Sequence, residues 1–276
     1  MEIAALAAIA GKEFRDSLRT RWFWLYTIAF TLLAAGLSYL ASAYAGLAGV
    51  RGFGRTAAGL VNLVLLIVPL MGLTAGAQAL AGERERGTLL YLLSQPVDRA
   101  ELLLGKWLGL AAALALSILS AFGVTGLLLA AGGARMESRA YLLFALLTIL
   151  LALATLGLGL AISAVSSRVA GATGAALFTW LGLVFLGDLG LMGMAAVLRL
   201  SIAPLALLSA LNPLQLFKVA AVAGLEPTLD VLGPVGRYVH DLLGAWLVTA
   251  LTAALALWGL AALLAAWALF VRRDPS

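Results

Sequence analysis

This sequence contains few side chains that could take part in catalysis or bind a metal ion, and their spacing suits neither role. The chain contains no cysteine, which excludes disulfides, thiolate catalysis and iron–sulfur clusters, and His240 is its only histidine. A metal site built from several histidines of one chain is therefore excluded. Met192 and Met194 could offer thioethers to a soft metal, but residues two apart point to different faces of a helix. We expect no catalytic residue, no metal site and no bound cofactor in this chain.

Nucleotide binding through a P-loop is excluded as well. That loop requires G-x-x-x-x-G-K followed by Ser or Thr, placed after a strand. The sequence has Gly-Lys pairs within Gly11–Glu13 and Gly105–Trp107, but both lack the earlier glycine and the following hydroxyl. By that route the chain cannot bind ATP.

Asp188 is the only acid within a predicted membrane span, and it has two interpretations. It could be a functional intramembrane carboxylate. Alternatively, it lies near the outer mouth where the fifth span ends, which the glycines between Gly182 and Gly193 favour because they loosen a helix. An ion-coupled secondary transporter needs paired ionisable groups within its spans, and an intramembrane hydrolase needs a Ser–His or two-Asp site. A single acid and the lone His240 give both classes little support.

The elements around these residues are those of an all-α integral membrane protein. Of 276 residues, 63% are apolar and 11% are charged, whereas about a quarter are charged in globular domains. Six runs reach the roughly 20 largely apolar residues that a spanning helix needs. They are Trp22–Ala48, Thr56–Ala81, Leu102–Ala131, Ala140–Val165, Gly171–Val197 and Leu243–Val271. We predict six transmembrane helices in a single domain over residues 1–276.

Residues 1–20 precede the first span and show an apolar face at helical spacing. Ile3, Leu6, Ala10, Phe14 and Leu18 form that face, and charged residues gather in the second half of the segment. This pattern is typical of an amphipathic helix lying in the membrane interface and contacting lipid. The alternative is a frayed cytoplasmic tail.

The distribution of basic residues predicts the orientation of the chain. An even number of spans places both termini on one side, and positive residues concentrate on the cytoplasmic side. That side then holds 11 of the 18 Lys and Arg residues: Lys12, Arg15, Arg19, Arg21, Arg84, Arg86, Arg99, Lys106, Arg168, Arg272 and Arg273. Both termini are therefore predicted in the cytoplasm, with the chain in a bacterial inner membrane. The net charge of +5 reflects this orientation, and no nucleic-acid partner is expected.

The stretch Gly82–Lys106 interrupts the apolar pattern with seven charged residues between Glu83 and Glu101. Placing it at a bilayer centre would cost on the order of 20 kcal/mol, so it must lie in water. Thr88 can cap a short helix over Leu89–Leu93, which Ser94-Gln95-Pro96 then ends. An apolar helix bracketed by charges predicts a docking surface for a soluble partner, because exposed apolar patches mark interaction sites. The alternative is a solvated loop without a partner.

The outer loop, over residues 198–242, contains short apolar runs that Pro204 and Asn212-Pro213 interrupt. Neither run is long enough to span, so we expect short helices that lie on the outer surface or dip into the membrane. This loop could carry a second docking site or form a lid over the helix bundle.

The charged stretch resembles the ABC-2 type permease family, the membrane subunits of ATP-driven exporters. The family pattern E-x-E-x-G-T-L, L-L-S-x-P-x-x-R and L-G-K is present here in Glu83–Leu89, Leu92–Arg99 and Leu104–Lys106. The resemblance implies a type V exporter-like permease whose residues 82–101 form a cytoplasmic coupling segment. That segment would fit a groove on a separate ABC ATPase, which would bind the ATP and Mg. The residues that it assigns to ATPase coupling are Gly82, Glu83, Arg84, Glu85, Arg86, Gly87, Thr88, Leu89, Leu90, Leu92, Leu93, Ser94, Pro96 and Arg99.

Within this family, the chain length, the short loops and the Asn212–Lys218 run are most similar to permeases involved in copper-site maturation of nitrous oxide reductase. That likeness implies a homodimer, two copies of the ATPase, and a periplasmic copper-handling protein outside. It assigns outer-partner docking to Asn212, Pro213, Phe217 and Lys218. The alternative within the family is a permease for another substrate, such as a drug, a lipid or an ion. Arg84 and Arg86 depart from the family pattern, because many relatives are more acidic there.

Overall fold

The computed structural model describes residues 3–48, 53–95, 97–131, 138–190, 193, 201–225 and 233–273. The α-helices in chain order are α1 Ile3–Arg19, α2 Arg21–Ala48, α3 Phe53–Glu85, α4 Thr88–Leu93, α5 Arg99–Ala131, α6 Ser138–Val165, α7 Val169–Phe185, α8 Ile202–Ala210, α9 Pro213–Leu225, α10 Gly233–Leu243 and α11 Leu247–Arg272. A π-helix over Leu186–Gly190 follows α7, and a 3₁₀ turn over Gly244–Trp246 joins α10 to α11. Within these described ranges the fold is helical throughout, as the sequence predicts.

Four described helical segments are long and apolar enough to cross a membrane. They are Gly59–Glu85, Arg99–Ala131, Ser138–Val165 and Val235–Arg272. The number rises to six if each of two bent pairs forms one span, namely α1 with Phe23–Tyr39, bent by 66°, and α8 with α9, bent by 106°. The chain is therefore an all-helical, multi-pass protein with four to six candidate spans.

The fifth predicted span differs from the expectation. Its α-helical part, α7, has 17 residues and ends at Phe185, whereas the sequence predicted a helix as far as Val197. Asp188 lies in the π-helix that follows, between glycines that weaken regular α-helix. This position agrees with the interpretation that Asp188 lies where the helix loosens. Residues 194–200, at the predicted end of the span, lie outside the described residues.

Helices α3 and α6 form the centre of the bundle and touch along their backbones. A Cβ atom added to Gly76 would lie 2.5 Å from the carbonyl oxygen of Leu156, and one added to Gly72 would lie 2.9 Å from that of Ala152. Small residues at i and i+4 are what allow such close approach of membrane helices. The Gly72–Gly76 pair therefore serves helix packing.

Replacing Gly76 with valine is expected to separate α3 from α6 and lower the free energy of unfolding by about 1–3 kcal/mol. The measurement is the thermal unfolding midpoint of the detergent-purified chain. Gly123→Val is the matched control, because a Cβ at Gly123 on α5 meets no atom within 4 Å. Equal midpoints for the two variants would contradict this account of the packing.

Helix α1 packs on the amino-terminal part of α5 by the same means. A Cβ at Gly105 would lie 2.7 Å from Cγ2 of Ile9, and one at Gly109 would lie 2.5 Å from the carbonyl oxygen of Ala10. None of the residues of α1 is fully buried, and its charged side chains gather toward its carboxyl end. A helix at this position is confirmed, while its place in the membrane interface stays a prediction.

The predicted outer loop contains α8, α9 and α10. The Asn212 side chain organises the turn between the first two, because its Nδ2 donates to the carbonyl oxygen of Leu183 at 2.7 Å and its Oδ1 accepts from the Leu214 N–H at 2.9 Å. Phe217 and Pro213 are buried, and Phe217 stacks near Phe144 with ring centroids 5.9 Å apart. These two residues, which were predicted to dock an outer partner, lie inside the helix bundle. Their apolar side chains contribute to its packing.

Candidate functional site

The coupling segment begins with a tight turn between α3 and α4. Gly87 has φ 71°, in the left-handed region that favours glycine, and its N–H donates to the carbonyl oxygen of Arg84 at 3.0 Å. Thr88 was predicted to cap α4, but Gly87 occupies the cap position and no side chain caps the helix. Thr88 is the first helical residue, and its Oγ1 donates to the carbonyl oxygen of Glu83 at 3.2 Å. The turn thus fixes α4 directly against the end of α3.

Replacing Gly87 with alanine is expected to destabilise the chain by about 1–2 kcal/mol, the usual cost of a left-handed conformation for a residue with a Cβ atom. A lower thermal unfolding midpoint measures this effect. Gly171→Ala is the control, since a Cβ at Gly171 within α7 meets open space and alanine favours helix. A Gly87→Ala variant as stable as the Gly171→Ala variant would contradict the prediction.

Helix α4 is amphipathic, with one face anchored in the body. Leu89 is 1% exposed and packs with Leu80, Leu103 and Phe270. Leu92 and Leu93 are half-buried against the same cluster. The expectation that the whole apolar run is exposed is therefore wrong, because Leu89, Leu92 and Leu93 share one helical face at i, i+3 and i+4 and bury it.

The opposite face of α4 lies in the open. Leu90 is 54% exposed and Tyr91 is 69% exposed. We call Leu90 and Tyr91 the knob. Tyr91 was missing from the residues that the sequence assigned to coupling, although the helical period could have placed it on the face opposite Leu89. Arg86, Gly87, Thr88 and Ser94 are exposed around the knob.

Helix α4 ends at Leu93, as the sequence predicts. Ser94 caps it, with its N–H on the carbonyl oxygen of Leu90 at 3.0 Å and its Oγ on that of Tyr91 at 2.8 Å. Glu101 then caps the start of α5 by accepting from the Asp98 N–H at 3.1 Å. Pro96, the residue expected to break the helix, lies outside the described residues.

The charges of the family motif bind the neighbouring helices. Arg84 donates to carbonyl oxygens at the end of α6, those of Ser163 and Ala164 at 3.3 and 3.4 Å, and also to that of Ser166. Glu85 accepts from the Val169 N–H at 2.6 Å, which satisfies the first turn of α7. These contacts tie the end of α3 to both sides of the α6–α7 turn.

Arg99 connects the coupling segment to the last helix. Its Nη1 donates to the carbonyl oxygens of Val271 and Arg273 at 2.9 and 3.2 Å. Carbonyl groups at a helix C-terminus lack partners within the helix, so a guanidinium satisfies them well. The segment is thereby joined to α11 as well as to α6 and α7.

A buried charge cluster lies beside the end of α3 and consists of Lys12, Glu13, Glu83 and Lys106. Lys106 is 1% exposed, and its Nζ lies 2.6 Å from Oε1 of Glu13 and 2.8 Å from Oε1 of Glu83. The Lys12 ammonium lies 3.6 Å from each of the same two carboxylates. Glu83, predicted to face the ATPase, is instead buried in this cluster. The cluster was not predicted from the sequence, although a lysine inside an apolar run signals a buried partner.

A cavity of about 480 Å³ adjoins the buried charge cluster. Its lining is mixed, with polar side chains such as Asp16, Gln78 and Arg86 and apolar ones such as Met71 and Leu114. Among the described residues, no group of three or more His, Asp or Glu side chains could hold a metal ion. The cavity lining therefore combines charged, polar and apolar side chains.

Comparisons with known proteins agree with the motif and the helical architecture. The family described as ABC-2 family transporter protein matches residues 7–274. A relative from Pseudomonas aeruginosa, named "Probable ABC transporter permease protein NosY", is 36% identical over 271 residues, which cover 96% of this chain and 97% of that protein. A protein of the same name from Stutzerimonas stutzeri is 32% identical over 274 residues, with the same coverage. The chain therefore belongs to the ABC-2 family of transporter proteins, as a permease subunit of an ABC transporter.

Proposed function

We propose that the knob docks on a separate cytoplasmic ABC ATPase. When ATP drives a movement of that ATPase, this chain converts the movement into a rearrangement of its own membrane helices. The observation that carries the proposal is the two-faced helix α4, with Leu89 buried in the body and Leu90 and Tyr91 exposed. A solvated loop without a partner would not retain an exposed apolar pair beside a buried one. Bound ATP and Mg would belong to the ATPase.

The contacts around α4 suggest how movement would spread from the knob. Thr88 and Leu89 join it to α3 and the inner bundle, and Arg84 and Glu85 join the end of α3 to α6 and α7. Arg99 reaches α11. Because hydrogen bonds and apolar packing hold the segment to its neighbours, a displacement of α4 would be shared among α3, α6, α7 and α11 rather than absorbed by a flexible loop. The chain would work as a homodimer, with one ATPase on each copy.

The orientation belongs to the same proposal. A knob that meets a cytoplasmic ATPase requires residues 82–101 and both termini on the cytoplasmic side of the inner membrane. The basic residues support that orientation, with 11 of the 18 on that side. Helix α1 would then lie in the inner interface, in contact with lipid.

The biological role that we propose is copper-site maturation of nitrous oxide reductase, in cooperation with a periplasmic copper-handling protein. Two relatives that cover 96% of the chain carry the name NosY, and this supports the role that the sequence resemblance implies. On the outer segment, Leu207 and Leu211 of the α8 region are exposed and could contact such a partner. Lys218 and Asn212 are half-exposed beside them.

Co-purification tests the proposal directly. The chain is expressed with ABC ATPases of the same organism and extracted in mild detergent, and a stable complex with one of them that hydrolyses ATP is the expected result. In cells lacking the native permease, the copper content of nitrous oxide reductase measures the biological role. Absence of any associated ATPase would refute the coupling function, whereas normal coupling without an effect on copper content would refute only the copper role.

A further inference from the structure

The buried charge cluster joins three helices that the coupling path described above does not fully connect. Glu13 belongs to α1, Glu83 to α3 and Lys106 to α5. Helix α1 packs mainly on α5, and the charged side chains are what attach it to the end of α3. A single ammonium, that of Lys106, contacts one carboxylate from each of the other two helices.

Burial makes this connection hard to open. Lys106 is 1% exposed and the Glu13 and Glu83 side chains are 12% and 4% exposed, so the three charges lie largely outside water. Separating one partner of a buried ion pair leaves an uncompensated charge in a medium of low dielectric, which is strongly unfavourable. Small displacements of one helix are therefore followed by the other two, rather than being absorbed by sliding of side chains.

Glu83 connects the buried charge cluster to α4, the helix that carries the knob, because its side chain and its backbone contact different partners. Its side chain contacts Lys106, while its carbonyl oxygen accepts the hydroxyl of Thr88, the first residue of α4. Helix α1 in turn bends by 66° into the helix Phe23–Tyr39. A displacement of α4 can thus reach α1 through Glu83, Lys106 and Glu13, and from α1 it reaches α2.

We infer that Lys106 and Glu13 are positioning residues for energy coupling: they hold α1 to the ends of α3 and α5, so that α1 moves with α4 when the ATPase closes. This inference rests on the proposed docking of the knob. It adds α1 and α2 to the helices that receive the movement, and it assigns a role to a lysine within an apolar helix that docking alone leaves unexplained.

The experiment compares Glu13→Met with Asp16→Met in the complex with the ATPase. Both substitutions remove one acid from α1, but Glu13 contacts Lys106 at 2.6 Å, whereas the Asp16 carboxylate is exposed and lies 3.8 Å from the Lys12 ammonium. Glu13→Met leaves the Lys106–Glu83 pair intact, so the chain retains a compensated charge at its centre. Hydrogen exchange of α1 and α4 is measured in nanodiscs, with the ATPase nucleotide-free and with ATP trapped.

In the wild-type complex, ATP is expected to change exchange by at least about threefold in both α4 and α1, because both change their contacts. Glu13→Met is expected to abolish the ATP-dependent change in α1 while preserving that in α4. Asp16→Met and the conservative Lys106→Arg are expected to preserve both. If Glu13→Met accumulates poorly, Glu13→Gln, which removes the charge at similar shape, is read in the same way.

The two proposals fail differently in this experiment. If α1 keeps its ATP-dependent change in Glu13→Met, or shows none in the wild type while α4 responds, the positioning role is wrong and docking of the knob stands. If α4 shows no ATP-dependent change in the wild type, or no ATPase associates, the docking proposal is wrong and the positioning role falls with it.

Discussion

Replacing both Leu90 and Tyr91 with glutamate is expected to abolish association of the ATPase while leaving the chain folded in the membrane. Both side chains are more than half exposed, so the substitutions disturb no packing inside the chain. A tyrosine at the centre of an interface is a frequent hot spot worth about 2 kcal/mol or more, and burying an unpaired carboxylate there adds a further cost, so binding is expected to weaken by more than about a hundredfold. Two added negative charges also oppose any acidic surface on the partner.

The measurement is the amount of ATPase that co-purifies with the tagged chain, together with the amount of chain in the membrane fraction. Leu90→Met with Tyr91→Phe is the matched control, since both replacements preserve apolar surface of similar size. We expect that control to bind the ATPase nearly as well as the wild type. Full binding by the glutamate variant would show that the partner docks elsewhere.

Replacing Lys106 with methionine is expected to be among the most damaging single changes to the stability of this chain. It leaves the carboxylates of Glu13 and Glu83 close together and largely buried, with only the half-exposed Lys12 at 3.6 Å to offset them. Removing one partner from a buried ionic group typically costs about 3–5 kcal/mol. The expected result is a large loss of monodisperse protein after detergent extraction and a much lower unfolding midpoint.

The triple variant Lys106→Met, Glu13→Gln and Glu83→Gln separates the cost of unpaired charge from loss of packing. It removes all three charges at similar volume, and apolar or neutral replacement of a whole buried ionic group is often nearly neutral for stability. We expect it to recover most of the unfolding midpoint lost by the single variant. A single variant as stable as the wild type would mean that the cluster is solvated and carries little energy.

The helices of the bundle could be predicted because each one is determined by its own stretch of apolar sequence. Long apolar runs must become helices in a bilayer, since every backbone group needs an internal partner there. The predicted first span begins at Trp22 and ends at Ala48, and α2 covers Arg21–Ala48. The prediction failed at the fifth span, where glycines around Asp188 replace the α-helix with a π-helix after Phe185.

The family motif identified residues 82–101 as a candidate coupling segment, but the contacts that its charged side chains make were not predicted. Glu83, Arg84 and Glu85 were predicted to lie in water, because burying their charges in a bilayer is costly, and the family resemblance assigned them to ATPase coupling. In the structure, Arg84 and Glu85 instead satisfy backbone groups of α6 and α7. Glu83 pairs with Lys106, whose other partner, Glu13, lies 93 residues away from it in sequence. Such pairings depend on which helices become neighbours, and a single sequence does not contain that information.

The hydrogen bonds from Arg99 to Val271 and Arg273 have a practical meaning for anyone who expresses this protein. These contacts tie the end of α11 to the start of α5, and Arg273 adds a contact to the α6–α7 turn by donating to the Ser167 hydroxyl at 3.0 Å. Truncating the chain ahead of Val271 would remove both hydrogen-bond acceptors of Arg99, so the start of α5 would lose this connection to the end of α11. An affinity tag or fluorescent reporter should therefore follow Arg273 in the chain and not replace residues 271–273.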